Sequence, residues 1–305
     1  MTSRRSFIKN SAAALAGTAL VPGFSKAFFQ PKVTVLGVQL FTLFNEIDAD
    51  VPGALKKLSA IGYKEIESAF SKKGGYYGLK PKEFAALVKD HGMSWKSHHV
   101  LGAPFKLPPD QKMPLDASGQ PMKIPPMRNL TDNLQELVDE AAEGGVPYLV
   151  CATIPANTRE ELVKAVIVLN KAGEACKKAG IQFAYHNHDW EFKTVDGKQP
   201  YEVFLKETNA QNVKMELDLC WVTKAGIDPL ELFKKYPGRF PLFHAKDIDK
   251  DFKGPQPVGT GVVDFKRILT GAETAGLKHI FVEHDMPADA YASLTTSFKN
   301  LSPLL

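Results

Sequence analysis

The decapeptide FAYHNHDWEF, residues 183–192, places His186, His188, Asp189 and Glu191 within six positions, directly after a short run of strand character. Imidazoles and carboxylates packed this densely can hold a metal ion or move protons, and one segment rarely supplies a whole site. Other apolar runs in the chain also end in polar groups. Read in order, these ends are Gln39, Glu67, His98 with His99, Cys151, His186 with His188, Glu216 with Asp218, His244 with Lys246, and Glu283. One such end is unremarkable. His186, Asp218, His244 and Glu283 on four successive runs are a mixed nitrogen and oxygen donor set suited to a divalent cation such as Mn²⁺, Zn²⁺, Co²⁺ or Mg²⁺. Each also has a plainer use. His186 can be a hydrogen-bonded core histidine, Asp218 can cap the helix that follows it, and His244 can pair with Asp247. Glu283 closes a wholly apolar run, where a carboxylate without a partner is costly.

The runs that carry these residues are short and rich in β-branched and aromatic residues: 33–40, 64–67, 94–98, 148–152, 182–186, 213–218, 240–244 and 279–283. Between them lie segments with apolar residues at helical spacing, such as PKEFAALVKDHG and NLQELVDEAAEGGV, several of which stop at glycine, as at Gly62, Gly92, Gly180 and Gly276. Helix, glycine, strand, repeated, is the alternation of a parallel sheet. Eight such units in about 275 residues predict a single (β/α)₈ TIM barrel of the α/β class. A doubly wound open sheet is the competitor, and it would usually bring a G-x-G-x-x-G loop after its first strand. None is present there. In a barrel, the C-terminal strand ends converge on one pocket, which is where the polar ends just named would meet. The long connection Gly102 to Arg128, with seven prolines, falls on that same face and is expected to cover substrate.

The chain is 44% hydrophobic and 24% charged, and its formal charge of +4 is spread without a basic run. That composition is ordinary for a globular protein and gives no indication of a nucleic-acid partner. Cys151, Cys176 and Cys220 are odd in number and irregular in spacing, which suits buried apolar residues better than a disulfide framework. Residues 1–27 differ from the rest: Arg4-Arg5-Ser6-Phe7-Ile8-Lys9, an uncharged stretch from Ser11 to Phe24, then Ser25-Lys26-Ala27. This reads as an export signal that resembles the twin-arginine pattern, too short in its apolar part to span a bilayer. The expectation is a mature domain of residues 28–305, exported to the periplasm, with no membrane contact after cleavage.

The order GVQLFTL, IGYKEIE, HNHDWEF, ELDLCWVTKAG, FHAKD, VGTGVVDF and FVEHD resembles the xylose isomerase-like sugar phosphate isomerase/epimerase superfamily, over essentially the whole mature chain. The resemblance implies a TIM barrel with a divalent metal held on the last four strands, at His186, Asp218, His244 and Glu283. It also shows a departure. Epimerase-like members carry E-N-H at the end of the fifth strand, where this chain has His186-Asn187-His188, and a D-x-x-H where it has Asp218-Leu219-Cys220-Trp221. Their pair of glutamates, one on each face of the substrate carbon, is thus incomplete. Inosose dehydratases of the same superfamily have a similar histidine-rich segment.

The chemistry implied is proton abstraction beside a carbonyl, with metal stabilising the enolate. Glu283 would be ligand and base, His186 or His188 would return a proton or protonate a leaving group, and Lys246 would meet developing negative charge or pair with Asp247. His188 is the reserve for the fifth-strand ligand. His98, His99 and Glu67 are expected to contact substrate hydroxyls, and Trp190 or Trp221 to stack on the sugar's apolar face. The expected function is a metal-dependent isomerase or epimerase acting on a small carbohydrate. The alternatives are a lyase or dehydratase acting on a keto-sugar or 3-keto-glycoside with the same metal site, and a non-catalytic sugar-binding barrel. A DNA-repair nuclease of this superfamily would require more carboxylates and a basic face.

Overall fold

The computed structural model describes residues 33–105 and 127–305; residues 1–27, read above as an export signal, and most of the proline-rich connection lie outside the described residues. Eight parallel strands close into a barrel: β1 Gly37–Gln39, β2 Glu65–Ser68, β3 Ser94–Leu101, β4 Tyr148–Thr153, β5 Gln182–His186, β6 Val213–Asp218, β7 Leu242–Ala245 and, after a two-stranded hairpin of β8 Asp247–Ile248 and β9 Pro255–Gln256, β10 His279–Val282. The closing pair is β1 with β10, in register Gly37↔Phe281 and Val38↔Val282. A Cβ on Gly37 would fall 2.3 Å from the Phe281 ring, so a side chain there would push the closing strands apart. Each predicted strand is present. The first is shorter than its apolar run, and the third runs on to Leu101 across a register shift next to Val100.

Side chains alternate between the two sides of each strand. One set faces the helices and forms the main apolar core, including Val38, Ile66, Phe183, Leu217, Phe243 and Ile280. The other set faces the barrel axis. Val150, Ala184, Leu242 and Phe281 form a small separate apolar cluster. Above them, the same alternation brings Gln39, Glu67, Glu216, His244, Asp218 and His186 to the axis, all buried. A polar interior toward the C-terminal strand ends is the reverse of what packing alone would select. The outer helices are conventional by comparison. Arg159–Lys178 is capped by Thr158, whose hydroxyl accepts from the Glu161 N–H. It carries Glu160 and Glu161 in its first turn and Lys177 and Lys178 in its last, as its dipole favours. Its buried face is Leu162, Ala165, Leu169, Ala172 and Cys176. All three cysteines are buried and free. Among the described residues no helix is long and apolar enough to cross a membrane.

Candidate metal and active site

β5 to β10 deliver the four residues that the sequence picks out as metal ligands. His186, Asp218 and His244 close or nearly close their strands, and Glu283 directly follows β10; each contributes one candidate ligand atom, and these atoms lie within 4.8 Å of one another. Asp218 does two things. Its Oδ1 accepts from the Trp221 N–H and caps the following helix, while Oδ2 is left buried with no hydrogen-bond partner. His186 Nε2 is likewise buried and unpartnered, and it lies 3.5 Å from that Oδ2. On the ring's other side, Nδ1 donates to the Ala152 carbonyl at 3.3 Å, which leaves the Nε2 lone pair facing the site. Burial, reinforced by His244 and His188 close by, pushes His186 well below the ordinary imidazole range, so the ring is neutral. Two acceptors facing each other with no hydrogen between them could share a cation, and the Lys246 ammonium lies 3.6 Å from the same Asp218 oxygen.

Glu283 Oε2 accepts from Lys246 Nζ at 2.8 Å and lies 2.9 Å from His244 Nδ1. Burial alone would raise this carboxyl, but Lys246 and His244 outweigh it and hold Glu283 well below the usual carboxylate range. Burial likewise pulls against the Lys246 ammonium, and Asp285, Glu283 and Asp218 overcome it and hold the group above its ordinary range. Asp218 is pushed up to about 6, chiefly by burial, against the pull of Lys246 and His244. Lys246 reaches Asp285 Oδ1 at 2.9 Å and lies over the Trp221 ring, 4.9 Å from its centroid. Trp221 is half-buried, and His188, one third exposed, stands 6.1 Å from it and 5.0 Å from His186.

Several sequence expectations change in the structure. Lys246 does not pair with Asp247. Lys246 lies between β7 and β8 with its ammonium on Glu283 and Asp285, and the Asp247 carboxylate instead accepts four backbone N–H groups: Ile248 and Val263 on Oδ1, Gly259 and Gly261 on Oδ2, at 2.9 to 3.0 Å. It therefore locks the VGTGVVDF loop. A Cβ on Gly261 would fall 2.1 Å from the Ile248 carbonyl oxygen, so the loop can pass only as glycine. His98 is not placed to meet substrate. It faces the helices, 2.8 Å from Ser68 Oγ and against the Tyr76 and Trp95 rings, and burial together with His99 lowers it to about 3. Glu67 faces the axis but is fully buried, accepting from Gln39 Nε2 at 2.8 Å and meeting the His244 ring. His99 faces the axis and meets Glu216 at 2.6 Å. Trp190 packs half-buried against the outer core.

Three participants had no role assigned from sequence. Asp285, two residues beyond Glu283, shares its direction and holds Lys246. Asn187 Oδ1 accepts from the Asp218 N–H at 3.1 Å, tying β5 to β6 between two candidate ligands. Glu191, buried at the end of the opening decapeptide, accepts from the Tyr185 hydroxyl at 2.7 Å and the His188 N–H at 2.8 Å, which sets the turn that presents His188. The period-two rule could have found Asp285; the other two depend on how the chain turns after the strand.

Comparison with known proteins agrees with this architecture. The chain is similar to the crystal structure of a sugar phosphate isomerase/epimerase from Parabacteroides distasonis, with 26% identity, 91% of this chain and 97% of the other covered, and a TM-score of 0.70. A probable 3-DHS dehydratase from Bacillus anthracis, 13% identical with a TM-score of 0.65 over 88% of this chain and 98% of the other, shares the fold. Among curated proteins, inosose dehydratase of Geobacillus thermodenitrificans is 24% identical over 145 residues, covering 42% of this chain and 48% of that protein. The chain thus spans about half the length of the curated relatives it matches. The profile of one family matches residues 55–300, from the first barrel helix to the last, and on that match the chain belongs to the xylose isomerase-like TIM barrel family.

Proposed function

We propose that this protein is a divalent-metal-dependent sugar isomerase or epimerase that removes a proton from the carbon beside a substrate carbonyl. The observation that carries the reading is the facing pair of buried acceptors, His186 Nε2 and Asp218 Oδ2, 3.5 Å apart and without hydrogen-bond partners. Together with His244 and Glu283 they would hold Mn²⁺, Zn²⁺, Co²⁺ or Mg²⁺; two neutral imidazoles and two carboxylates match such an ion in charge and donor type. When bound, the metal supplies Lewis-acid polarisation of the carbonyl.

The remaining work belongs to the chain. Glu283, fixed between His244 Nδ1 and Lys246 Nζ, is the base, and its proton would come from a carbon acidified by the neighbouring carbonyl. A carboxylate held this far below its usual range is a weak base in water, so the reaction relies on that activation. The Lys246 ammonium, fixed by Asp285, stands beside Glu283 and stabilises negative charge as it develops. His188, at the more open side and fixed by Glu191, returns the proton. Trp221 offers its half-buried ring to the apolar face of a sugar. The twin-arginine-like leader, if it exports the chain, favours an unphosphorylated substrate.

A second reading, a dehydratase or lyase on a keto-sugar or 3-keto-glycoside, is favoured by one feature. β5 ends in imidazoles where a second carboxylate would be needed for two-base epimerisation, and an imidazole is well suited to protonate a departing hydroxyl or alkoxide. The inosose dehydratase similarity leans the same way. Incubating metal-loaded protein with keto-sugars and 3-keto-glycosides in D₂O separates the readings. Deuterium in a rearranged sugar supports the isomerase or epimerase, and an unsaturated product supports the lyase. Sugar binding with neither outcome would mean a non-catalytic barrel.

A further inference from the structure

One layer deeper than the site just described, Glu67, His99, Glu216 and His244 converge from β2, β3, β6 and β7, again with one candidate ligand atom each within 4.8 Å of the others. All but His99 are fully buried, and the His99 side chain is 9% exposed. Their contacts form a closed ring. His99 Nε2 is 2.6 Å from Glu216 Oε2 and 3.3 Å from Glu67 Oε1. His244 Nε2 is 3.2 Å from the same Glu216 oxygen and 2.5 Å from the same Glu67 oxygen. The two imidazoles stack, with centroids 5.1 Å apart and planes 10° from parallel.

Hydrogen bonding does not account for this arrangement. An imidazole nitrogen carries at most one hydrogen, yet each Nε2 faces two carboxylate oxygens, so two of the four contacts are made without one. Glu67 Oε2 and Glu216 Oε1 are buried with no partner. Among the described residues both glutamates form ion pairs only with these imidazoles, and two adjacent carboxylates in a barrel interior need compensating positive charge, which protonated imidazoles or an ion between them can supply. The dimensions suggest its source. A tetrahedral ion with bonds of about 2 Å to imidazole nitrogen and carboxylate oxygen holds its ligand atoms about 3.3 Å apart, and the four contacts, at 2.5 to 3.3 Å, gather the atoms into a space of that size.

We propose that Glu67, His99, Glu216 and His244 form a second metal site, for a zinc-class divalent cation, beneath the first. Two carboxylates and two imidazoles cancel its charge, and tetrahedral N₂O₂ coordination suits zinc or cobalt. The ion replaces the Nε2 hydrogens, which leave to solvent as protons while the ion sheds its water. His99 keeps its hydrogen on Nδ1. His244 faces the first site through Nδ1 and the second through Nε2, so with both filled it is an imidazolate bridge. The inference rests on the proposed first site only for that bridge.

Metal counts on the full chain test it. After saturation with Zn²⁺ and dialysis, the wild type should retain two ions per chain by elemental analysis and native mass spectrometry. Glu216→Gln and His99→Asn should each retain one, and Asp218→Ala should also retain one, from the other site. A single wild-type ion that Glu216→Gln keeps and Asp218→Ala loses would overturn the second site and leave the first. Loss of one ion in His99→Asn with none lost in Asp218→Ala would overturn the first and leave the second. No retained ion overturns both. Should a variant fail to fold, anomalous diffraction from zinc-loaded wild-type crystals decides: a peak between the Nε2 atoms of His99 and His244 is expected, and a peak only beside His186 and Asp218 refutes the proposal.

Discussion

Replacing Asp247 with asparagine should unlock the catalytic-face loop without touching any proposed metal ligand. The wild-type carboxylate accepts Ile248 and Val263 N–H on one oxygen and Gly259 and Gly261 N–H on the other. An asparagine amide has one acceptor oxygen. Whichever way it turns, two backbone donors lose their acceptor and face an NH₂ group. Hydrogen bonds to a charged group contribute about 1.5–3 kcal/mol each, so losing two costs about 3–6 kcal/mol if the loop stays shut. That is a large share of the 5–15 kcal/mol typical of a whole domain. The loop has an escape, which is to open locally. The expected result is therefore a lower urea midpoint, faster amide exchange at Gly259, Gly261 and Val263, or both. Gly261→Ala should do the same, because its Cβ would also fall 2.4 Å from Asp247 Oδ1. A loss below about 1 kcal/mol with unchanged exchange at those three amides would refute the assignment of Asp247 as the anchor of this loop.

Glu283→Gln keeps a ligand oxygen and removes basicity, so turnover and solvent exchange at the substrate carbon should fall together by about 10²–10⁴-fold with metal retained. Near-normal turnover there, with loss in His186→Gln, would move the base to β5. His98→Gln should leave kcat and KM unchanged and lower the urea midpoint, because the ring packs against Tyr76 and Trp95 rather than the site; a raised KM would return His98 to the substrate. Replacing Arg4 and Arg5 by lysine should hold the chain in the cytoplasm, as fractionation and immunoblotting would show, and unchanged export would point to the general secretory route.

What the sequence conveys about this barrel follows from its periods. Eight apolar runs separated by helical segments specify the alternation of a TIM barrel, and a polar residue ending an apolar strand marks the catalytic face. The barrel is present and the polar strand ends do gather at its axis, because both patterns depend on local spacing. The partner of Lys246 is not local: the lysine lies between β7 and β8 and reaches Glu283 and Asp285, which come from the far end of the chain. Phase is harder to read. His98 and His99 must point oppositely, but which one faces the axis depends on register shifts next to Ile66 and Val100 that the sequence does not mark.

Depth along the axis is the quantity that spacing conveys least. Glu67, Glu216 and Glu283 all read as inward carboxylates, yet Glu67 and Glu216 lie in the layer beneath Asp218 and Glu283, and only the strand stagger separates them. His244 joins those layers. Its Nδ1 is 2.9 Å from Glu283 while its Nε2 lies between Glu67 and Glu216, so each of its nitrogens faces carboxylate oxygen. Burial pulls against its charge, but Glu216, Glu283 and Glu67 hold His244 well above the ordinary imidazole range, so without metal the ring carries a hydrogen on each side. If the outer site takes a metal at Nδ1, the Nε2 hydrogen can go to Glu67, as a carboxylate behind a metal-bound histidine commonly receives it. That satisfies His244 but leaves His99 between two glutamates and both outer glutamate oxygens without partners. An ion among Glu67 Oε1, Glu216 Oε2 and the two Nε2 atoms satisfies all four of those contacts together, which a single proton cannot do.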